Sequence, residues 1–398
     1  MKSLCRTIPI PLCLIALLGL PLADSGSQGQ DELLARIRRV ETGIVAVDSR
    51  TDAGTTTITD RMVRTGIPGV SLTVIHDGRI EWAKAYGVRE AGKTEPVTPR
   101  TLFQAASISK PVAAAGALRL AQDGLLQLDE DVNQQLVMWK VPENEFTRSK
   151  KVTLRGILTH SAGLTVHGFP GYAAGGQVPG LLQVLDGIEP ANSAPIRVDT
   201  EPGMKSRYSG GGFCVLQQLI IDLTGKPFAQ FMRDTVLARL GMRDSAYEQP
   251  LPPGLQERAA AGHRADGTVI EGKFHIYPEM AAAGLWTTPS DLASFAIELQ
   301  EARAGISHRL LSQETATDML TPRFDGRGLG IRVLGEGRSA RFEHGGSNAG
   351  FRCQMVAMME TGDGAVVMTN SDAGAVLAAE IIRSIAKEYR WPEVQQRP

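Results

Sequence analysis

The sequence predicts an α/β fold of the α+β type. An antiparallel sheet flanked by helices takes its strands from both ends of the chain, and a mostly helical domain is inserted between them. Three observations carry this. Alternating apolar residues are confined to two regions, about 70–88 and 328–370. Helical spacing of apolar residues marks 31–47, 107–125 and the C-terminal stretch. The middle third consists of helical patches joined by Gly/Pro-rich loops. The sheet lobe is therefore assigned to 24–105 and 284–398, and the helical lobe to 106–283.

At the start, Lys2 and Arg6 precede an apolar run over 8–22, and small polar residues follow Ala23. This is the layout of a signal peptide, here residues 1–23, and the expected location is periplasmic or secreted. Pro9, Pro11 and Pro21 interrupt a run already too short to span comfortably, so no stable membrane span is expected in the mature chain. The alternative is an uncleaved N-terminal anchor. Cleavage removes Cys5 and Cys13 and leaves Cys214 and Cys353, two residues expected to be buried free thiols.

Leu33, Ile37, Val40 and Ile44 recur at helical spacing over 31–47. Val70, Leu72 and Val74 then alternate, Asp77-Gly78 makes a turn, and Ile80, Trp82, Tyr86 and Val88 answer as a hairpin. The helix at 107–125 is apolar on most sides through Ala113, Ala114, Ala115, Ala117 and Leu118, which predicts a central, buried position. Residues 164–200 show no period and read as a long surface excursion; with 250–280 they are expected to shape a cleft. Thr288-Pro289-Ser290-Asp291 has the form of a helix start. Strands are expected at 328–333, 351–358 and 365–370, the last two joined by a turn at Asp363-Gly364. A closing helix aligns Leu377, Ile381, Ile385 and Tyr389.

The chain has 398 residues, with 42 Lys+Arg against 43 Asp+Glu. The 42% hydrophobic and 21% charged content excludes wholesale disorder, and the near-even charge balance argues against a nucleic-acid partner, which calls for a basic excess. The 7 histidines show no metal-ligand spacing, so neither metal nor other cofactor is expected.

Ser107 and Lys110 form an S-x-x-K at the entry to the buried helix. Serine is a weak nucleophile without a base, and residues i and i+3 of a helical turn share a face. A helix N-terminus adds free N–H groups for a developing oxyanion. Pro111 favours the first helical position, which puts Ser107 in the turn just before the regular helix. A second S-x-x-K, Ser384 to Lys387, lies inside the closing amphipathic helix and reads as structural. Near-matches to a nucleophile elbow at 159–163 and 345–349 lack the required strand–turn–helix setting. Tyr208-Ser209-Gly210, on a Gly-rich loop, can present a phenol to a cleft for proton transfer. In His344-Gly345-Gly346-Ser347 the glycines allow close backbone approach to a ligand.

In this order, Ser107-Ile108-Ser109-Lys110, Tyr208-Ser209-Gly210 and His344-Gly345-Gly346 resemble the three motifs of the class C β-lactamase superfamily. That superfamily also holds D-Ala-D-Ala carboxypeptidases, D-aminopeptidases and family VIII esterases. Residues 158–164 resemble its loop between the first two motifs, and the resemblance covers about 55–390. It implies a β-lactamase/transpeptidase-like fold and an exported serine hydrolase that cleaves an amide, ester or β-lactam bond through an acyl-enzyme on Ser107. Lys110 and Tyr208 would share the acid and base work, and which of them takes the serine proton stays open. A lysine acting as base near neutral pH must be desolvated or crowded by cations. The backbone N–H groups of Ser107 and Ser347 would form the oxyanion hole. His344, Gly345, Gly346 and Gly210 would meet the substrate, a small-molecule or peptide-like compound.

Two departures bear on substrate. Gly210 stands where β-lactamases of this class carry an Asn amide, and His344-Gly345 where they carry Lys-Thr. Missing polar contacts weaken discrimination, so weak β-lactam turnover is expected, with ester, amide or D-amino-acid peptide substrates as the counterpart. An acyltransferase or esterase acting on a small ester, and a non-catalytic cell-envelope binding protein of the same fold, remain as alternatives.

Overall fold

A computed structural model of the chain describes residues 25–45 and 55–392. The expected signal peptide at 1–23 lies outside the described residues. The described residues fall into two compact units that divide between Arg39 and Val40. No helix among the described residues is long and apolar enough to cross a membrane.

Helix α1 (Ser25–Thr42) ends earlier than its periodicity suggested. Ile44 instead exchanges backbone hydrogen bonds with Thr56, at 3.2 and 2.9 Å. The break falls at Thr42-Gly43, two residues of low helix propensity. Helix α2 (Ile58–Thr65) starts where the Thr57 side chain accepts from the Asp60 N–H, and spans only 8 residues. So short a segment gives no readable period.

The predicted hairpin forms. Strands β1 (Gly69–His76) and β2 (Arg79–Gly87) are antiparallel. Their turn has φ 51° at Asp77 and 69° at Gly78, as a two-residue hairpin loop requires. A three-residue helical turn, Ala106–Ile108, then leads into α3 (Ser109–Gln122), which is buried on nearly every side. Helix α4 (Gly210–Thr224) is capped by Ser209, and α5 (Pro289–Arg303) starts at the expected Thr288 cap with Pro289 at its first position. Strands β3 (Arg332–Leu334), β4 (Arg341–Asn348), β5 (Phe351–Met358) and β6 (Gly364–Thr369) precede the closing helix α6 (Gly374–Glu388).

The six strands form one antiparallel sheet in the order β2-β1-β6-β5-β4-β3. Strands β1 and β6 lie inside it, and β6 is buried at every position. The two faces are covered by different helices. Thr73 Oγ1 meets Ser290 Oγ at 3.0 Å, which sets α5 against one face. The next residue, Val74, points the other way and pairs with Trp82, whose indole N–H donates to the Tyr389 hydroxyl at the end of α6 (2.8 Å). On that second face Arg61 of α2 also makes a buried two-pronged ion pair with Glu380, at 2.9 and 2.8 Å.

Two expectations need correction. The strand expected at 328–333 is limited to Arg332–Leu334, and the strand β4 was not foreseen. Its sequence, RFEHGGSN, is poor in β-branched residues, so pairing with β5 imposes the conformation where propensity does not. Residues 164–200 are not merely a surface excursion. They carry the helix Leu181–Asp186 and a two-residue strand paired with His275–Ile276, and Val184, Leu185, Ile196 and Val198 are buried. The core links both halves of the chain: one apolar cluster includes Ile75, Val112, Phe213, Phe295 and Val366. Cys214 and Cys353 are free and buried.

Candidate active site

The site is built around the turn before α3. Ala106 holds φ at 50°, uncommon for a residue with a Cβ. Ser109 locks that turn: its Oγ donates to the Ala106 carbonyl (2.5 Å) and accepts from the Leu285 N–H (2.9 Å). The Tyr247 hydroxyl donates to the Ser109 carbonyl at 2.7 Å. Ser107, next to the strained residue, is thereby aimed into a cavity of about 580 Å³. The regular helix begins at Ser109, two residues before the start that Pro111 favoured. A proline there costs little, because the first four N–H groups of a helix have no intrahelical partner.

Lys110 lies behind the serine with its side chain buried. Its Nζ donates to Ser107 Oγ at 3.1 Å and to the Ala282 carbonyl at 2.7 Å. The ammonium also stands 5.0 Å from the ring centre of Tyr208 and 5.7 Å from that of Phe213.

Tyr208 is fixed by its surroundings. Ser209 accepts from the Gly212 N–H (2.9 Å) and donates to the Thr165 carbonyl (2.7 Å), which pins the start of α4. The Ser209 N–H donates to His160 Nδ1 at 3.1 Å, so His160 carries its proton on Nε2. The ring of His160 lies 4.4 Å from that of Tyr208, and the ring of His167 lies 4.9 Å from it. The Arg327 guanidinium sits 5.7 Å from the same ring centre. Burial, then Arg327 and Lys110, push the His160 imidazole well below its usual range, which keeps it neutral.

Strand β4 forms the opposite wall. A Cβ on Gly346 would stand 2.3 Å from both the Ala105 carbonyl oxygen and Cys353 Sγ, so only glycine lets the strand lie against the turn that carries Ser107. At Gly345 the nearest atom to such a Cβ is the Cys353 carbonyl oxygen at 3.8 Å, and the residue is open to the cleft. Ser347 is exposed at the cavity. His344 Nδ1 donates to the Gly345 carbonyl at 2.7 Å. Although its side chain is only part-buried, desolvation and the nearby Lys110 cation push His344 down to about 3.

The fold thus gathers Ser107, Tyr208, His344, Gly345, Gly346 and Ser347 around one cavity, with Lys110 bonded to Ser107 from behind. Gly210 is a correction. It is buried, and a Cβ there would meet Phe169 Cε2 at 3.0 Å and the His167 carbonyl oxygen at 3.1 Å. The 167–169 loop closes over Gly210 and presents His167 to the cavity in its place. Of the two segments expected to shape the cleft, 164–200 supplies His167, whereas Tyr277 backs the wall by accepting from the Ala349 N–H (3.0 Å).

Arg327 carried no signal in the sequence. It lines the cavity, its Nε donates to Ser206 Oγ at 2.9 Å, and burial lowers its affinity for the proton. Among the described residues it forms no ion pair. His160 fell within a noticed loop, but its stacking on Tyr208 depends on a left-handed backbone (φ 57°) that composition does not announce. The second S-x-x-K is structural in place: Ser384 Oγ donates to the Val40 carbonyl at 2.9 Å, and neither Ser384 nor Lys387 lines the cleft.

The family profile described as beta-lactamase matches residues 55–390. The unguisins hydrolase ungD' of Aspergillus campestris is 33% identical over 242 residues, 55% of this chain and 41% of that one. A putative D-alanyl-D-alanine carboxypeptidase of Escherichia coli K12 is 27% identical over 249 residues, 59% of this chain and 55% of that one. The chain therefore spans about half the length of these curated relatives. Among solved structures, the D-amino acid amidase from Ochrobactrum anthropi SV3 superposes with a TM-score of 0.69 at 23% identity, covering 90% of this chain and 98% of that one. At that identity the likeness speaks to the fold.

Proposed function

Since the chain belongs to the beta-lactamase family, we propose that it is an exported serine acyl-hydrolase that works through a covalent acyl-enzyme on Ser107. The observation that carries this reading is the 3.1 Å contact between Lys110 Nζ and Ser107 Oγ at the foot of the cavity.

In this reading Ser107 Oγ attacks the acyl carbon, and its proton passes into the Lys110–Tyr208 pair. The pair returns that proton to the leaving nitrogen or oxygen as the bond to it breaks. A water then attacks the acyl-enzyme, releases the acid and restores Ser107. The N–H groups of Ser107 and Ser347 stabilise the oxyanion formed in each half. Lys110 is held on one side by the Ala282 carbonyl, so its remaining N–H directions are confined to the serine side.

The substrate side rests on charge. Neutral His344 and bare Gly345 offer no cation and no hydroxyl, whereas Arg327 brings an unpaired cation to the same cavity. An acyl compound with an anionic group on its leaving side fits this arrangement, such as a D-amino-acid peptide with a free carboxylate. The name of the carboxypeptidase relative points the same way. The basic–apolar layout of residues 1–23 supports export.

The test is a side-by-side assay of D-alanyl peptides with a free or amidated C-terminus, p-nitrophenyl esters and nitrocefin. The expected ranking puts the free peptide above its amide, with nitrocefin slow. Arg327→Ala should lower kcat/KM for the free peptide at least tenfold more than for the amide. Nitrocefin turnover above that of every peptide and ester would overturn the substrate assignment.

A further inference from the structure

A second cavity, of about 320 Å³, lies between α6 and strands β4 and β5. Its walls are apolar or small at Val356, Ile382 and Ala386. Two donors in its lining are buried without a hydrogen-bond partner among the described residues, Arg383 Nη2 and Trp391 Nε1. Trp391 is only 6% exposed. A buried donor left unsatisfied is unfavourable unless something occupies the site to accept from it.

The charge at the cavity is one-sided. Glu343 is already paired with Arg341 (3.2 Å) and Arg332 (3.5 Å). Arg383 and Lys387 add two cations with no acid on them among the described residues. The cavity also borders the catalytic cleft: Gln354 lines both, and α6 turns Ala375 and Ala378 to the cleft and Ile382 and Ala386 to the cavity. Those residues recur at helical spacing, so the two spaces lie along one face of α6.

We propose that this cavity is a binding site for a free medium-chain aliphatic carboxylate. The carboxylate takes the Arg383 and Trp391 donors, and the chain lies over Val356, Ile382 and Ala386 toward Gln354. With roughly 30 Å³ for each group the size of a water, the space holds about ten non-hydrogen atoms, the size of octanoate. Arg suits this role because its fork matches a carboxylate. The site stands apart from Ser107, so it does not depend on the proposed reaction.

Titration calorimetry with octanoate on the full chain tests this. Saturable binding is expected, weakened at least tenfold by Arg383→Gln and lost in Ala386→Phe, which fills the space. Octanol, with the same chain and no charge, should bind at least tenfold more weakly than octanoate. Binding should survive treatment of the protein with a fluorophosphonate, whether or not Ser107 reacts. No saturable binding, equal binding by Arg383→Gln and Ala386→Phe, or loss of binding on modification of Ser107 would each overturn the assignment, the last by placing octanoate in the catalytic cleft.

Discussion

Gly346 lies against Ala105 so closely that a Cβ on it would stand 2.3 Å from the Ala105 carbonyl oxygen. This contact sets strand β4, and with it the Ser347 N–H, against the turn that presents Ser107. Gly346→Ala must push the two apart. It should destabilise the fold by about 1–3 kcal/mol, as overpacking does, and cut acylation more than tenfold. Gly345→Ala is the control for stability, because its nearest neighbour is 3.8 Å away. Urea melts and single-turnover acylation of both variants check this, and equal melts would contradict the geometry.

His344 should stay neutral throughout the physiological range, since it is pushed down to about 3. The unfolded imidazole titrates near 6.5, so its contribution to stability is full above that pH. That contribution falls away as pH drops from about 6.5 toward 3, because the unfolded chain then takes up the proton first. The acid limb of the melting curve should therefore be shallower in His344→Gln. Imidazole carbon shifts followed by NMR should show no titration of His344 above pH 4; a midpoint near 6.5 would contradict this.

Glu279 has the opposite sign. Its carboxyl oxygens are buried with the Tyr172 side chain as their polar neighbour, and burial raises the group to about 8. It immediately precedes the short helix Met280–Ala283, whose Ala282 carbonyl receives Lys110. The folded state holds this proton more tightly than the unfolded one, so no penalty is felt below about 4.5. Stability is lost as pH rises from there through about 8. Thermal melts at pH 5, 7 and 8 should show Glu279→Gln gaining on the wild type as pH increases. A constant difference would show that Glu279 is not protonated in the folded state at neutral pH.

How much of this was legible depends on the kind of signal. The hairpin β1–β2, the buried helix α3 and the closing helix α6 announce themselves because burial repeats at period 2 or 3.6, and the cap before α5 has its own local chemistry. Strand β4 carries glycines and a histidine in place of β-formers, so it is silent to propensity although it forms the cleft wall. Motif order picks out Ser107, Lys110 and Tyr208, which the fold then brings together. Long-range packing decides the rest. Nothing near Gly210 foretells that the 167–169 loop covers it, and Arg327 reaches Tyr208 across 119 residues of chain through an irregular segment with no period.

The central claim is that Ser107, activated beside Lys110, becomes acylated. Intact-mass measurement after exposure to a fluorophosphonate or a fluorescent penicillin tests it most directly. The wild type should gain one adduct, mapped to the peptide holding Ser107. Ser107→Ala should gain none, and Lys110→Met should react about 100- to 10,000-fold more slowly with its fold intact. Equal labelling of Ser107→Ala, or no adduct on the wild type with either probe, would contradict the account.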